Sequence, residues 1–118
     1  MAHRIYGIPF ADVYVHYLTK VERKGRTVEE LDEVIRWLTG FDEAELQGHL
    51  AAKTTFTDFF GQADMNPNAG LITGLICGIR VEEVEDPLMQ KIRQLDKLVD
   101  ELYYGKAMEK VLREPQPS

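Results

Sequence analysis

The chain has 118 residues, of which 44% are hydrophobic and 29% charged, and its formal net charge is −6 at pH 7. This balance is typical of one soluble globular domain, and the acidic charge argues against a broad surface for nucleic acid. The longest apolar run, residues 71–79, contains two glycines and is far shorter than the roughly 20 residues of a membrane helix. The amino terminus has no basic region followed by an apolar segment, so we expect no signal peptide.

The amino-terminal half of the chain predicts four short helices. Apolar residues at positions 10, 13, 14, 17, 18 and 21 follow the spacing of one helix face, and Gly25 suits the end of that helix. Three further starts carry a capping side chain followed three residues later by an acid: Thr27 and Glu30, Asp42 and Glu45, Thr55 and Asp58. Because each cap is worth about 1 kcal/mol, these pairs predict three helices joined by short connections.

The carboxyl-terminal half predicts the longest helix and a shorter last one. Asp86 is a capping residue, and Pro87 after it suits a first helical turn. Apolar residues then alternate steps of four and three, at Leu88, Ile92, Leu95, Val99 and Leu102. Gly105 predicts a break before a separate helix that extends to about residue 113. The helical domain is therefore predicted at 1–113, with a frayed tail at 114–118.

The segment at residues 70–79 fits two conformations. Its apolar residues have helical spacing, and Gly70, Gly74 and Gly78 recur four apart, which favours a helix with a glycine groove. Its β-branched isoleucines and the low helix propensity of glycine leave a strand as the alternative. Cys77 lies inside this apolar run, where a cysteine usually packs as a small hydrophobic side chain, so we interpret it as inert core.

Together these elements predict an all-α fold, a compact orthogonal bundle of about six short helices with an irregular or strand-like segment near 70–80 as the alternative there. Three stretches also resemble a known family: GRTVEELDEVIRWLTGFD, MNPNAGLITGLICGIRVEEVEDPLMQKIRQLDKLVDEL and GKAMEKVLRE. They are similar to small bacterial proteins known only as domain of unknown function 2200, from about residue 3 to 113. The resemblance implies a cytosolic, all-helical, orthogonally packed protein. It implies no catalytic residue, because the family has no agreed activity.

The polar loop at residues 64–70 (DMNPNAG) borders the glycine-rich segment and is the candidate binding site. Asn66, Asn68, Gly74 and Arg80 would line it. A lone guanidinium beside an apolar run often pairs with a carboxylate or an anionic ligand. Tight internal packing of the glycine groove is the favoured alternative to a ligand site.

The histidines do not complete a metal site in the sequence. Asp12 and His16 lie one helical turn apart, but two ligands are too few. A third ligand would have to come from His3, His49 or a distant carboxylate. We therefore expect no metal and no cofactor.

Acid–base catalysis and DNA binding are disfavoured for similar reasons. Paired acids, among them Asp32 with Glu33 and Asp100 with Glu101, are interpreted as capping or solubilising residues, so no catalytic residue is assigned. Residues 27–52 have the outline of a helix-turn-helix, yet acids begin its second helix and would face DNA phosphates.

These patterns support two functional hypotheses. The favoured one is a non-enzymatic interaction protein that binds another protein or forms a homodimer through an apolar patch near the glycine groove or the last helix. The alternative is a binding protein or enzyme for a small anionic ligand near the 64–70 loop and Arg80. We expect a cytoplasmic protein with neither nucleic acid nor membrane as a partner.

Overall fold

The computed structural model describes residues 4–113 as six α-helices and one two-stranded hairpin. The helices are α1 (Phe10–Glu22), α2 (Val28–Thr39), α3 (Glu43–Ala52), α4 (Phe56–Gln62), α5 (Pro87–Tyr103) and α6 (Met108–Val111). The hairpin joins β1 (Leu75–Ile76) to β2 (Ile79–Arg80), and short 3-10 helices lie at Arg4–Gly7, Pro67–Leu71 and Val81–Glu83. The predicted all-α bundle of about six helices is confirmed. The predicted frayed tail at 114–118 lies outside the described residues.

Side-chain caps start α2, α3, α4 and α5 at the predicted positions. Thr27 Oγ1 accepts the Glu30 amide at 3.2 Å, and the Glu30 carboxylate accepts the Thr27 amide at 3.1 Å. Asp42 and Glu45 form the same two reciprocal hydrogen bonds at the start of α3. Asp86 caps α5 by accepting two amides of its first turn. These bonds satisfy amides that a helix leaves unpaired at its amino end, which is why the sequence pattern locates the starts so closely.

Gly40 ends α2 at a position where only glycine fits. Its φ angle is +77°, in the left-handed region. A Cβ atom here would lie 2.5 Å from the carbonyl oxygen of Asp64. The same close approach lets the Asp64 amide donate to the Thr39 carbonyl at 2.8 Å, so the loop after α4 is fastened to the end of α2.

The longest helix, α5, lies at the centre of the bundle. It packs against α1, α2, α4, α6 and β1. Its buried residues are Met89, Ile92, Gln94, Leu95, Leu98, Val99, Glu101 and Leu102. The predicted apolar seam is therefore core, with Leu88 half-buried at its start. Within residues 4–113, no helix combines the length and apolar character that crossing a membrane requires.

A cluster of phenylalanines joins α1, the α2–α3 turn and α4. The rings of Phe10 and Phe59 stack with centroids 4.0 Å apart. Phe41 and Phe60 meet the Phe59 ring edge-on, at 5.1 and 5.2 Å. All four side chains are at most 7% exposed. Stacked and edge-on rings favour defined geometries, so the cluster fixes the relative positions of these elements.

The α-helix favoured over residues 70–79 is wrong and the strand-like alternative is confirmed, because residues 75–80 form the hairpin. Cys77 and Gly78 have φ angles of +52° and +78°, the two positive values that a tight two-residue turn requires. Ile76 pairs with Ile79 across the turn, where β-branched side chains suit a strand. Gly74 and Gly78, both with positive φ angles, therefore serve turns, and Gly70 lies in the 3-10 helix before them, so the three glycines form no helical groove.

The interpretation of Cys77 as a buried core residue is also wrong, since it is exposed at the hairpin turn. Ile76 is the strand residue that packs inward, at 7% exposure. Leu75 and Ile79 are 59% and 44% exposed. An apolar run thus need not be a buried one when it forms a hairpin at the edge of the fold.

The chain turns after α5 as predicted, and a buried ion cluster fixes the carboxyl-terminal segment beyond the turn. Gly105 has a φ of +87°, and α6 ends two residues before the predicted limit at 113.

Glu101 accepts hydrogen bonds from both terminal guanidinium nitrogens of Arg113, at 2.9 and 2.7 Å, and from the Lys106 ammonium at 3.3 Å. Its side chain is only 8% exposed, so the interpretation of Glu101 as a solubilising acid is wrong.

Candidate functional site

The two predicted site asparagines brace the loop after α4. Asn66 Nδ2 donates to the Trp37 carbonyl at 3.1 Å, and its Oδ1 accepts the Asn68 amide at 2.8 Å. Asn68 Nδ2 donates to the Arg113 carbonyl at 2.8 Å. Both side-chain amides therefore have structural partners that connect α2, the loop and the carboxyl end.

The other two predicted site residues, Gly74 and Arg80, meet at Glu82. The Gly74 amide donates to Glu82 Oε2 at 3.0 Å and lowers the pKa of that carboxyl. An Arg80 terminal nitrogen lies 4.0 Å from Glu82 Oε1, with the Arg80 side chain 62% exposed. The four residues thus form two separate pairs with local partners, and a ligand site among them stays a prediction.

A groove of about 530 Å³ lies between α1, α2 and α3. We call it the Tyr14–Asp32 groove. It is lined by Tyr14, Val28, Glu29, Asp32, Arg36, Glu43, Gln47 and Leu50. The volume falls within the range of small-molecule sites, and the lining combines polar groups with apolar side chains.

A tyrosine–carboxyl pair forms the wall of this groove. The Tyr14 hydroxyl donates to Asp32 Oδ1 at 2.6 Å, and Asp32 is only 6% exposed. Burial raises the pKa of the Asp32 carboxyl, the Tyr14 hydrogen bond opposes the rise, and the charge of Glu43 adds to it. Burial and the bond to Asp32 raise the pKa of the Tyr14 hydroxyl far above its usual range, so Tyr14 remains the donor.

The Asp32 carboxyl has unused acceptor capacity. Within residues 4–113, Tyr14 supplies its one hydrogen bond, through Oδ1. A carboxylate accepts through two oxygens, so Oδ2 can take a donor from a ligand. Buried titratable groups with perturbed pKa values on a concave surface are typical of functional sites.

The rim of the groove carries a second polar network. An Arg36 terminal nitrogen lies 3.3 Å from Glu43 Oε2, and Gln47 Nε2 donates to Glu43 Oε1 at 2.9 Å. Glu29 also lines the groove. With three carboxyl groups and one guanidinium among its lining residues, the groove is negative when its acids are ionised.

Sequence patterns do not identify this groove. Asp32 follows Leu31 and lies three residues before Ile35, at the edge of the buried stripe of α2. The interpretation of Asp32 as a solubilising acid is therefore wrong, since Asp32 is only 6% exposed and accepts a hydrogen bond from Tyr14 on α1. Tyr14 belongs to the predicted apolar face of α1. Its hydroxyl is the one feature in the sequence that points to this pair, because a tyrosine hydroxyl on a packed face needs a hydrogen-bond partner.

The histidines have separate surroundings. Asp12 and His16 are exposed on α1, as their position off the apolar stripe predicts. His49 Nδ1 lies 3.0 Å from Thr54 Oγ1, and its ring packs against Phe59. His3 lies outside the described residues. Among residues 4–113, no three histidine, cysteine or acidic side chains come together in a way that could hold a metal ion.

Comparisons with known proteins place the chain beside uncharacterised relatives. A family model described as "uncharacterized protein conserved in bacteria (DUF2200)" matches residues 4–113. The chain is also similar to the crystal structure of the uncharacterized protein SP1917, with 47% sequence identity and a TM-score of 0.88. The match covers 95% of this chain and 93% of that one. No curated protein matches the chain. These relatives indicate no function, so a function has to be inferred from the geometry of the site.

Proposed function

The chain belongs to this bacterial DUF2200 family, and we propose that it is a small-molecule binding protein whose Tyr14–Asp32 groove takes a small organic cation. The observation that carries the proposal is the buried Asp32 carboxyl, bonded to Tyr14 through one oxygen and open to a ligand donor through the other. A buried carboxyl costs stability unless it is compensated, and a bound cation would compensate it.

The lining of the groove favours an organic cation. Glu29, Asp32 and Glu43 all line the groove, so a positive group gains from three carboxyls, which outnumber the single guanidinium of Arg36. The net charge of −6 draws cations toward the protein. Val28 and Leu50 offer apolar contact to a hydrocarbon part of the ligand. A primary alkylamine combines an ammonium donor with such an alkyl chain.

Thermal unfolding with simple amines tests the proposal. Propylamine and 1,4-diaminobutane, as hydrochlorides, are expected to raise the melting temperature in a saturable way, because binding to the native state alone stabilises it. Propanol and 1,4-butanediol are the uncharged controls, and sodium chloride at equal ionic strength sets the baseline. The shift should shrink as the pH falls, since protonated Asp32 loses its attraction for the ammonium group.

Two isosteric variants locate the effect. Asp32→Asn keeps an acceptor for the Tyr14 hydroxyl but removes the charge, so it is expected to abolish the amine-dependent shift. Glu33→Gln removes the same charge from the exposed face of α2 and should leave the shift intact. Equal amine responses in wild type and Asp32→Asn, or diols as effective as diamines, would reject this site.

A second candidate function, self-association, is favoured by the exposed hairpin. Leu71, Leu75 and Ile79 are 57%, 59% and 44% exposed within nine residues of chain. Within residues 4–113 each hairpin strand pairs only with the other, so backbone groups at the sheet edge are open to a strand from a second copy. Apolar side chains beside an open edge suit a homodimer in which two hairpins pair.

Light scattering at low and high protein concentration tests self-association. The wild type is expected to shift toward twice the monomer mass as concentration rises, and Leu75→Ser should reduce the shift by removing an exposed apolar contact. Val15→Ser is the matched control, since Val15 is also 58% exposed but lies on α1. A strict monomer at every concentration contradicts this second function and leaves the amine test unaffected.

A further inference from the structure

A second concave site, of about 370 Å³, lies where the carboxyl ends of α1 and α5 meet. We call it the basic groove. It is lined by His16, Thr19, Lys20, Arg23 and Tyr103. Tyr14 and His16 are two residues apart on α1, so they lie roughly 160° apart around the helix axis, on nearly opposite faces. The basic groove is therefore a separate site from the Tyr14–Asp32 groove.

Positive charge is in excess at this groove, although the whole chain is acidic. Lys20 Nζ lies 3.4 Å from Asp100 Oδ1, which compensates one cation. Arg23 and Lys24 are exposed and make no ion pair within residues 4–113. Cations at a helix carboxyl end complement the helix dipole, but that effect does not require a concave surface.

Tyr103 supplies an aromatic wall beside these cations. The ammonium nitrogens of Lys20 and Lys24 lie 5.2 and 5.1 Å from its ring centroid, within the range of cation–π attraction. Tyr104 packs edge-on against the same ring at 5.0 Å. The Tyr103 ring and the two ammonium groups are thus close together, so one ligand can contact the ring and a positive charge at the same time.

We propose that the basic groove binds the phosphate group of a small aromatic phosphate. The fork of the Arg23 guanidinium matches two phosphate oxygens, and the Lys24 ammonium, 5.1 Å from the Tyr103 ring centroid, adds a point charge. The ligand ring then lies against Tyr103. A phosphate monoester carries nearly two negative charges at neutral pH, which matches the excess charge of Arg23 and Lys24. This ligand is opposite in charge to the one proposed for the Tyr14–Asp32 groove, so the two proposals fail independently.

Calorimetric titration with phenyl phosphate tests the proposal, with inorganic phosphate and phenol as comparison probes. Phenyl phosphate is expected to bind the wild type more tightly than inorganic phosphate does, and phenol should not bind measurably. Arg23→Gln should weaken phenyl phosphate binding about tenfold, because it removes a charge-assisted contact. Its exposed position makes misfolding of the variant a small concern, and circular dichroism checks this directly.

Arg80→Gln is the matched control, since Arg80 is an exposed arginine on the hairpin and the anion-binding residue that the sequence predicts. Its affinity for phenyl phosphate is expected to equal that of the wild type. Loss of binding in Arg80→Gln with full binding in Arg23→Gln would overturn the assignment in favour of the hairpin. Equal affinities for phenyl phosphate and inorganic phosphate would overturn the role of Tyr103, and no binding of either would overturn the proposal.

Discussion

Replacing Phe59 with alanine is expected to lower the free energy of unfolding by about 3–5 kcal/mol. Phe59 is fully buried, and its ring contacts Phe10, Phe41 and Phe60 from three different elements. Removing it leaves a cavity that those rings cannot all move to fill. Urea unfolding followed by circular dichroism measures the change, which is a large share of the roughly 5–15 kcal/mol typical of a domain.

Val15→Ala is the control for the Phe59 variant. Val15 is 58% exposed on α1, so its truncation should change the free energy of unfolding by no more than about 0.5 kcal/mol. A loss below about 1.5 kcal/mol for Phe59→Ala would mean that the aromatic cluster does not hold α1, the α2–α3 turn and α4 together.

Replacing Glu101 with glutamine is expected to cost about 3–5 kcal/mol, the range found when one partner of a buried ion pair is removed. The change leaves Arg113 and Lys106 without their shared carboxylate. Arg113 also donates to the Leu71 carbonyl at 3.1 Å, so its release should loosen the segment before the hairpin as well. Urea unfolding measures the cost, and amide hydrogen exchange should show faster exchange in α6.

Asp100→Asn provides the comparison for Glu101, because it changes the neighbouring residue of the same helix. Its pair with Lys20 is more exposed, with side-chain exposures of 22% and 40%, so we expect a loss of at most about 1 kcal/mol. If the two variants lost stability equally, the Glu101 cluster would have no special part in docking the carboxyl end.

The helix boundaries could be predicted because their signals are local. Thr27 and Glu30, like Asp42 and Glu45, carry the two halves of a hydrogen-bonded cap within four residues of sequence. The break at Gly105 follows from a positive φ angle that glycine adopts without strain.

The hairpin and the groove depend on contacts that local patterns do not encode. In the 70–79 segment, helical spacing and strand propensity favour different structures. The positive φ angles of Cys77 and Gly78 form a turn there, and a sequence pattern does not reveal those angles. The burial of Asp32 depends on Tyr14, 18 residues away on a helix that packs across α2. A sequence shows an acid at the edge of an apolar stripe, but only the packing of helices shows what covers it.

An NMR titration with 1,4-diaminobutane tests most directly whether the Tyr14–Asp32 groove binds an organic cation. In the wild type, saturable changes in amide chemical shift are expected at the groove, including Val28, Asp32 and Gln47, and they should be absent in Asp32→Asn. Shifts that do not saturate, that map to the hairpin, or that persist unchanged in Asp32→Asn would contradict the proposed function.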